Sequence, residues 1–100
     1  MVFKRNSDFL ATVIYNPVGD DPSTLSGITV TSSFEDENGN KYAGTVSVAN
    51  DYLSFTVSLS DTYTAVWPLG HVLWDVKFVN GSTTFYSATE TLEIIKNITP

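Results

Sequence analysis

Apolar and polar residues alternate with a period of two along most of the chain, the pattern of strands that turn one face to a core. In DFLATVIY, Phe9, Ala11, Val13 and Tyr15 share one face and Leu10, Thr12 and Ile14 the other, so both faces are expected to be partly covered. ITVTSSFE sets Ile28, Val30 and Phe34 against Thr29, Thr31, Ser33 and Glu35, a half-buried strand. Tyr42, Val46 and Val48 repeat on one face of YAGTVSVA, which reads as one strand. In YLSFTVSL, the cleanest case, Leu53, Phe55, Val57 and Leu59 alternate with Ser and Thr. HVLWDVKFV puts Val72, Trp74, Val76 and Phe78 on one face and Leu73, Asp75, Lys77 and Val79 on the other. STTFYSA and TLEIIKN complete the set, the last with Leu92 and Ile94 against Glu93 and Ile95.

The segments between these strands carry turn chemistry. NPVGDDPSTLSG holds two prolines, two glycines and two adjacent acids and reads as a loop. Asn38-Gly39 and Asn80-Gly81 are expected to form hairpins with positive φ at both central residues. In SDTYTAVWPLG the period breaks; Ser60 can cap a helical turn, Asp61 suits its first position, and Pro68 with Gly70 ends it. Roughly seven strands at intervals of about 8–12 residues predict an all-β fold, an immunoglobulin-like antiparallel β-sandwich. The label describes architecture only, because the Cys-Trp-Cys core of true immunoglobulin domains is absent from a chain without cysteine.

A chain of 100 residues is long enough for one core, so residues 1–100 are read as a single domain. Only 16% of the residues are charged, well under the roughly 25% of an average domain, and Ser and Thr take the polar strand positions instead. Eleven acids against five bases give a net charge of −6, which argues against a nucleic-acid partner and against an anionic membrane surface. The start, MVFKRNSDFL, runs into Asn, Ser and Asp rather than an apolar stretch, so no signal peptide is expected. No window approaches the ~18 apolar residues of a spanning helix. Synthesis in the cytoplasm is the expectation, and the glycosylation patterns Asn80-Gly81-Ser82 and Asn97-Ile98-Thr99 are read as chance.

Candidate chemistry is sparse. His71 is the only histidine, and with no cysteine the His and Cys clusters of ordinary zinc sites cannot form. His71 and Asp75 share a strand face, but no nucleophile motif accompanies them, so a Ser-His-Asp hydrolase is not expected. Asp75 is read instead as fixing register or capping through backbone or hydroxyl groups at a sheet edge. Asp20-Asp21 and Glu35-Asp36-Glu37 read as solvated loop charge rather than as a glycosidase pair, which needs one acid in an apolar pocket. Asp36, Asn38 and Asn40 alternate as calcium-loop ligands do, yet Lys41 stands where the required Gly would be and Ser47 where the bidentate acid would be. That leaves weak calcium binding by turn carboxylates at most, and no cofactor or metal is expected. Trp74, with Val72 and Val76 two positions away, reads as core. Trp67 precedes Pro68 in the irregular segment and is the interface candidate, with packing over an open end of the sandwich as its other reading. Asp20, Asp21 and Asp36 join Trp67 as candidate interface residues.

The order of features, LSGITVTSSF, then ENGN, then FTVSLSDTYTAVWPLG and HVLWDVKFVNGSTTFYSATETLEIIKNIT, resembles small tailed-bacteriophage virion proteins. These include immunoglobulin-like modules of baseplate, tail and neck proteins, among them the N-terminal domain of upper baseplate proteins. Leu25, Gly27, Gly70, Trp74, Asp75 and Gly81 match the pattern, although such proteins often carry Tyr where this chain has Trp74. The resemblance spans nearly the whole chain and lies in features of fold rather than catalysis. It implies a non-enzymatic virion structural protein, made in the host cytoplasm. Such a protein assembles with other virion proteins and as a homo-oligomer, through sheet edges and loops, onto tail, neck, baseplate or capsid. The alternative is a recognition module that binds a host cell-surface glycan or protein through Trp67 and the acidic loops.

Overall fold

The computed structural model describes residues 1–99, which form nine strands and one helical turn. The strands are β1 (Val2–Lys4), β2 (Phe9–Ile14), β3 (Thr29–Glu35), β4 (Lys41–Ala43), β5 (Thr45–Val48), β6 (Ser54–Leu59), β7 (Gly70–Asn80), β8 (Thr83–Tyr86) and β9 (Glu90–Ile95), with α1 (Asp61–Thr64) between β6 and β7. They make two packed sheets. The larger runs β1-β9-β7-β3-β4 with β8 also on β7, and the smaller runs β2-β6-β5. The all-β sandwich expected from the alternation is therefore the fold.

The alternation decides which faces meet. Val72, Trp74, Val76 and Phe78 of β7 are buried, as are Val30 and Phe34 of β3, Phe55, Val57 and Leu59 of β6, and Leu92 and Ile94 of β9. On β2 only one face is covered. Phe9 is buried, whereas Leu10 is 72% and Ile14 69% exposed, so the expected second covering is absent. Among the described residues no element packs on the outer face of the smaller sheet, where Ser58 and Ser54 are the cross-strand partners of Leu10 and Ile14.

Nine strands arise from about seven predicted ones because one segment divides in two and β1 is added. YAGTVSVA is not one strand: β4 pairs with β3 in the larger sheet and β5 with β6 in the smaller one. The switch falls at Gly44, where a Cβ would stand 3.1 Å from Phe34 Cε1 and 3.2 Å from Val57 Cγ1. Conversely, STTFYSA and TLEIIKN lie along the same edge of β7, β8 on its second half and β9 on its first. Tyr86 faces Lys77 and Glu90 faces Trp74, so residues 87–89 oppose only residues 75 and 76, a bulge in one interrupted strand.

Both hairpin turns fall where the sequence predicts, with different geometry. Only Gly39 has positive φ, +82°, in the β3–β4 turn; its N–H donates to Asp36 O at 3.0 Å, and the longer loop ends in a left-handed glycine. In the second, Asn80 pairs with Thr83 and the central pair is Gly81-Ser82 with φ +61° at Gly81, one residue later than expected. The predicted helical turn is present. Ser60 is its N-cap and its hydroxyl accepts from Thr62 N–H at 3.2 Å, while Asp61 occupies the first turn.

The aromatic residues meet in the interior. Phe34 packs within 5.0 Å of Phe9, 5.7 Å of Trp67 and 5.8 Å of Trp74, measured between ring centres. Trp67 also touches Phe3 of β1 and Tyr42 of β4. The segment after α1 thus plugs one end of the sandwich with its largest side chain.

Candidate functional site

The residues the sequence singles out do not gather. His71 is exposed at the start of β7, and its neighbour is Glu37: the Glu37 carboxylate accepts the His71 main-chain N–H at 3.0 Å, and the imidazole Nδ1 lies 3.6 Å from the same oxygen. Asp75 sits four residues further along, about 13 Å away at the rise of a strand. The Ser32 hydroxyl donates to the Asp75 main-chain carbonyl at 2.7 Å, a contact that does not use the acid group expected to fix register. Among the described residues, no group of three or more His, Cys, Asp or Glu side chains is placed to share a metal ion.

Asp36 departs from the expectation of a solvated loop acid. It is 5% exposed. Its Oδ1 accepts the N–H groups of Asn38 and Asn40 at 2.9 and 3.0 Å, and the Tyr42 hydroxyl donates to Oδ2 at 3.0 Å. Burial by itself would raise this carboxyl, but the hydrogen bonds from Asn40, Tyr42 and Asn38 outweigh it, and the acid lies below its ordinary value. The same arrangement pushes the Tyr42 phenol up, through burial first and then through the bond to Asp36. A carboxylate whose oxygens serve its own turn is a structural group, and as an interface candidate Asp36 is corrected on that ground.

Of the two readings of Trp67, packing over an open end of the sandwich is the one the structure shows, and the interface reading is corrected. Trp67 is completely buried, because the turn of α1 folds the chain back and directs the indole between the sheets. The recognition reading thereby loses its aromatic platform and keeps only the exposed pair Asp20 and Asp21 in the β2–β3 loop. Asp21 is partly engaged there, accepting the Val18 N–H at 3.2 Å.

A site the sequence did not disclose lies along β2. This strand pairs on one side only, with β6, over six residues from Phe9↔Leu59 to Ile14↔Ser54. Tyr15 N–H donates to Leu53 O, and Ala49 N–H on the opposite flank donates to Ser54 O. Odd-numbered residues of β2 therefore face β6, and Leu10, Thr12 and Ile14 direct their N–H and C=O groups outward. β2 is the longest strand with an unpaired edge among the described residues; β1, β4, β5 and β8 have three or four residues each. It holds neither charge nor proline, the usual devices that protect an edge.

Beside this edge, between the two sheets, runs a groove of about 430 Å³. Ala11 and Val13 form one wall, Ser87, Ala88 and Leu92 the other, with Phe78 and Trp74 between them. The signal in the sequence was the uncharged run FLATVI itself. Its pairing was not legible, because alternation reports which face is apolar and says nothing of which edge finds a neighbour. Compared with known proteins, the chain matches no family model and no curated protein.

Proposed function

We propose that the protein is a non-enzymatic structural module that assembles with neighbouring proteins through sheet edges and loops, as a component of a tailed-bacteriophage virion. The observation that carries the assembly part is the open edge of β2, six residues without charge or proline, Leu10 and Ile14 among them exposed. An unpaired edge of this kind is a template for another strand. The virion part rests on the resemblance in the order of motifs; the strand order bears on architecture and not on role. On our reading β2-β6-β5 and β9-β7-β3 correspond to the B-E-D and G-F-C orders of an immunoglobulin-like sandwich. The dispersed positions of His71, Asp75 and Asp36 favour a structural role over catalysis. Other virion proteins are the partners, and a symmetric homo-oligomer would cover the shorter edges.

Two measurements test this. Particles purified from the phage that encodes the chain are expected to contain it in a constant ratio to the major virion protein by quantitative mass spectrometry; its absence from washed particles would refute the virion role. Light scattering with small-angle scattering across protein concentration, with and without calcium, is expected to show one discrete mass independent of calcium. A drifting mixture of sizes would refute a defined homo-oligomer.

A further inference from the structure

We infer that β2 is the receiving edge of a strand-complementation site, filled by an extended segment of a different protein. That segment is uncharged where it lies in the groove and carries Lys or Arg where it passes Glu90. The inference rests on the assembly reading and names the chemistry of the partner.

Three observations define the occupant. First, the outward main-chain groups of Leu10, Thr12 and Ile14 form a row of donors and acceptors that only another extended backbone matches in spacing. Second, the groove adjoins that edge, so a strand laid beside β2 drops every second side chain between Ala11 and Val13 on one wall and Ala88 and Leu92 on the other. Its volume falls in the range of about 300–1,000 Å³ typical of binding clefts. Trp74 contributes to the floor of this groove with only 7% of its surface exposed. Third, the acids Asp75 and Glu90 border the groove and outnumber the opposing charge there, the Met1 ammonium 3.5 Å from Thr91 O, in a chain of net charge −6. A neutral or acidic segment gains nothing from them, whereas Lys or Arg at the rim is attracted.

Charge and area both weigh against a second copy as the occupant. A copy brings a further −6 to an acidic rim. Two β2 edges meeting alone make a ribbon about 20 Å long and about 10 Å wide, roughly 200 Å², well short of the roughly 800 Å² per partner that a stable pair requires. Residues 87–92 also wall the groove beside the edge, leaving room for a ribbon of chain rather than a whole sandwich.

The probe is a short synthetic peptide of alternating valine and threonine with lysine at each end, compared with the same peptide ended by glutamate. Amide exchange followed by NMR is the readout. In the free protein the amides of Leu10, Thr12 and Ile14 are expected to exchange fast and those of Ala11 and Val13 to be protected. The lysine-ended peptide is expected to slow the first three by about tenfold or more, and the glutamate-ended one to do so only at higher concentration. Thr12→Pro is expected to abolish the effect without removing a bond to β6, since that N–H points away from it. Ile14→Lys, at an exposed position, weakens it by charge repulsion and serves if the proline variant does not fold.

No slowing at these three amides, or slowing that survives both variants, overturns the inference. So does protection in the free protein that rises with its own concentration, which assigns the edge to a second copy. A chain that remains in purified particles while its β2 edge ignores the peptide sinks this inference alone. A chain absent from particles whose edge is protected sinks the virion reading alone.

Discussion

At the scale of single residues, the acids that look alike in the sequence have different fates. Asp20 and Asp21 stay in solvent, while Asp36, in an equally polar run, is buried by its own turn and collects three hydrogen bonds. Its carboxyl is held below the ordinary value, so the folded state binds its proton less readily than the unfolded state does. The stability it contributes is complete above the unfolded value, near 4, and is lost as pH falls through the lowered folded one. Asp36→Ala is therefore expected to cost about 1–3 kcal/mol at neutral pH, with the difference from wild type shrinking below about pH 4; urea unfolding at a series of pH values measures it. The buried fate of Asp36 was hidden because the partner that completes it, Tyr42, lies on the next strand.

At the scale of elements, two local features decide how segments join. Gly44 separates β4 from β5 where the chain crosses between sheets, and Phe34 and Val57 close in on it from opposite layers. Gly44→Ala must push both core side chains aside, which is expected to cost about 1–3 kcal/mol in denaturant unfolding with an unchanged strand signal by circular dichroism. The short α1 is held by Thr64, fully buried, whose hydroxyl donates to Ser7 O at 2.7 Å in the β1–β2 connection. Thr64→Val keeps the shape and leaves that carbonyl without its donor, an expected loss of about 1–2 kcal/mol, while Thr64→Ser retains most of the stability. The helical turn was legible from Ser60, Asp61 and Pro68, since capping is a local interaction. The division at Gly44 was not, because a glycine in an alternating stretch reads equally as a gap in one strand.

At the scale of the whole molecule, the core is a set of aromatic contacts between elements far apart in the chain, Phe3 and Phe9 near one end, Trp67 and Trp74 towards the other. Trp67→Ala removes the plug between β1, β3 and β4 and is expected to cost about 3–5 kcal/mol, seen as an earlier single transition when Trp74 emission is followed through urea unfolding. The apolar faces of β3, β6, β7 and β9, the turn positions and the all-β class were determined by the sequence alone, because side chains alternate across a strand whatever its neighbours are. Tertiary structure alone decided that β8 and β9 share one edge of β7, that Trp67 points inward, and that β2 keeps one side unpaired. Those outcomes depend on which distant strand reaches an edge first and covers it, and pairing partners leave no trace in the period of a single segment.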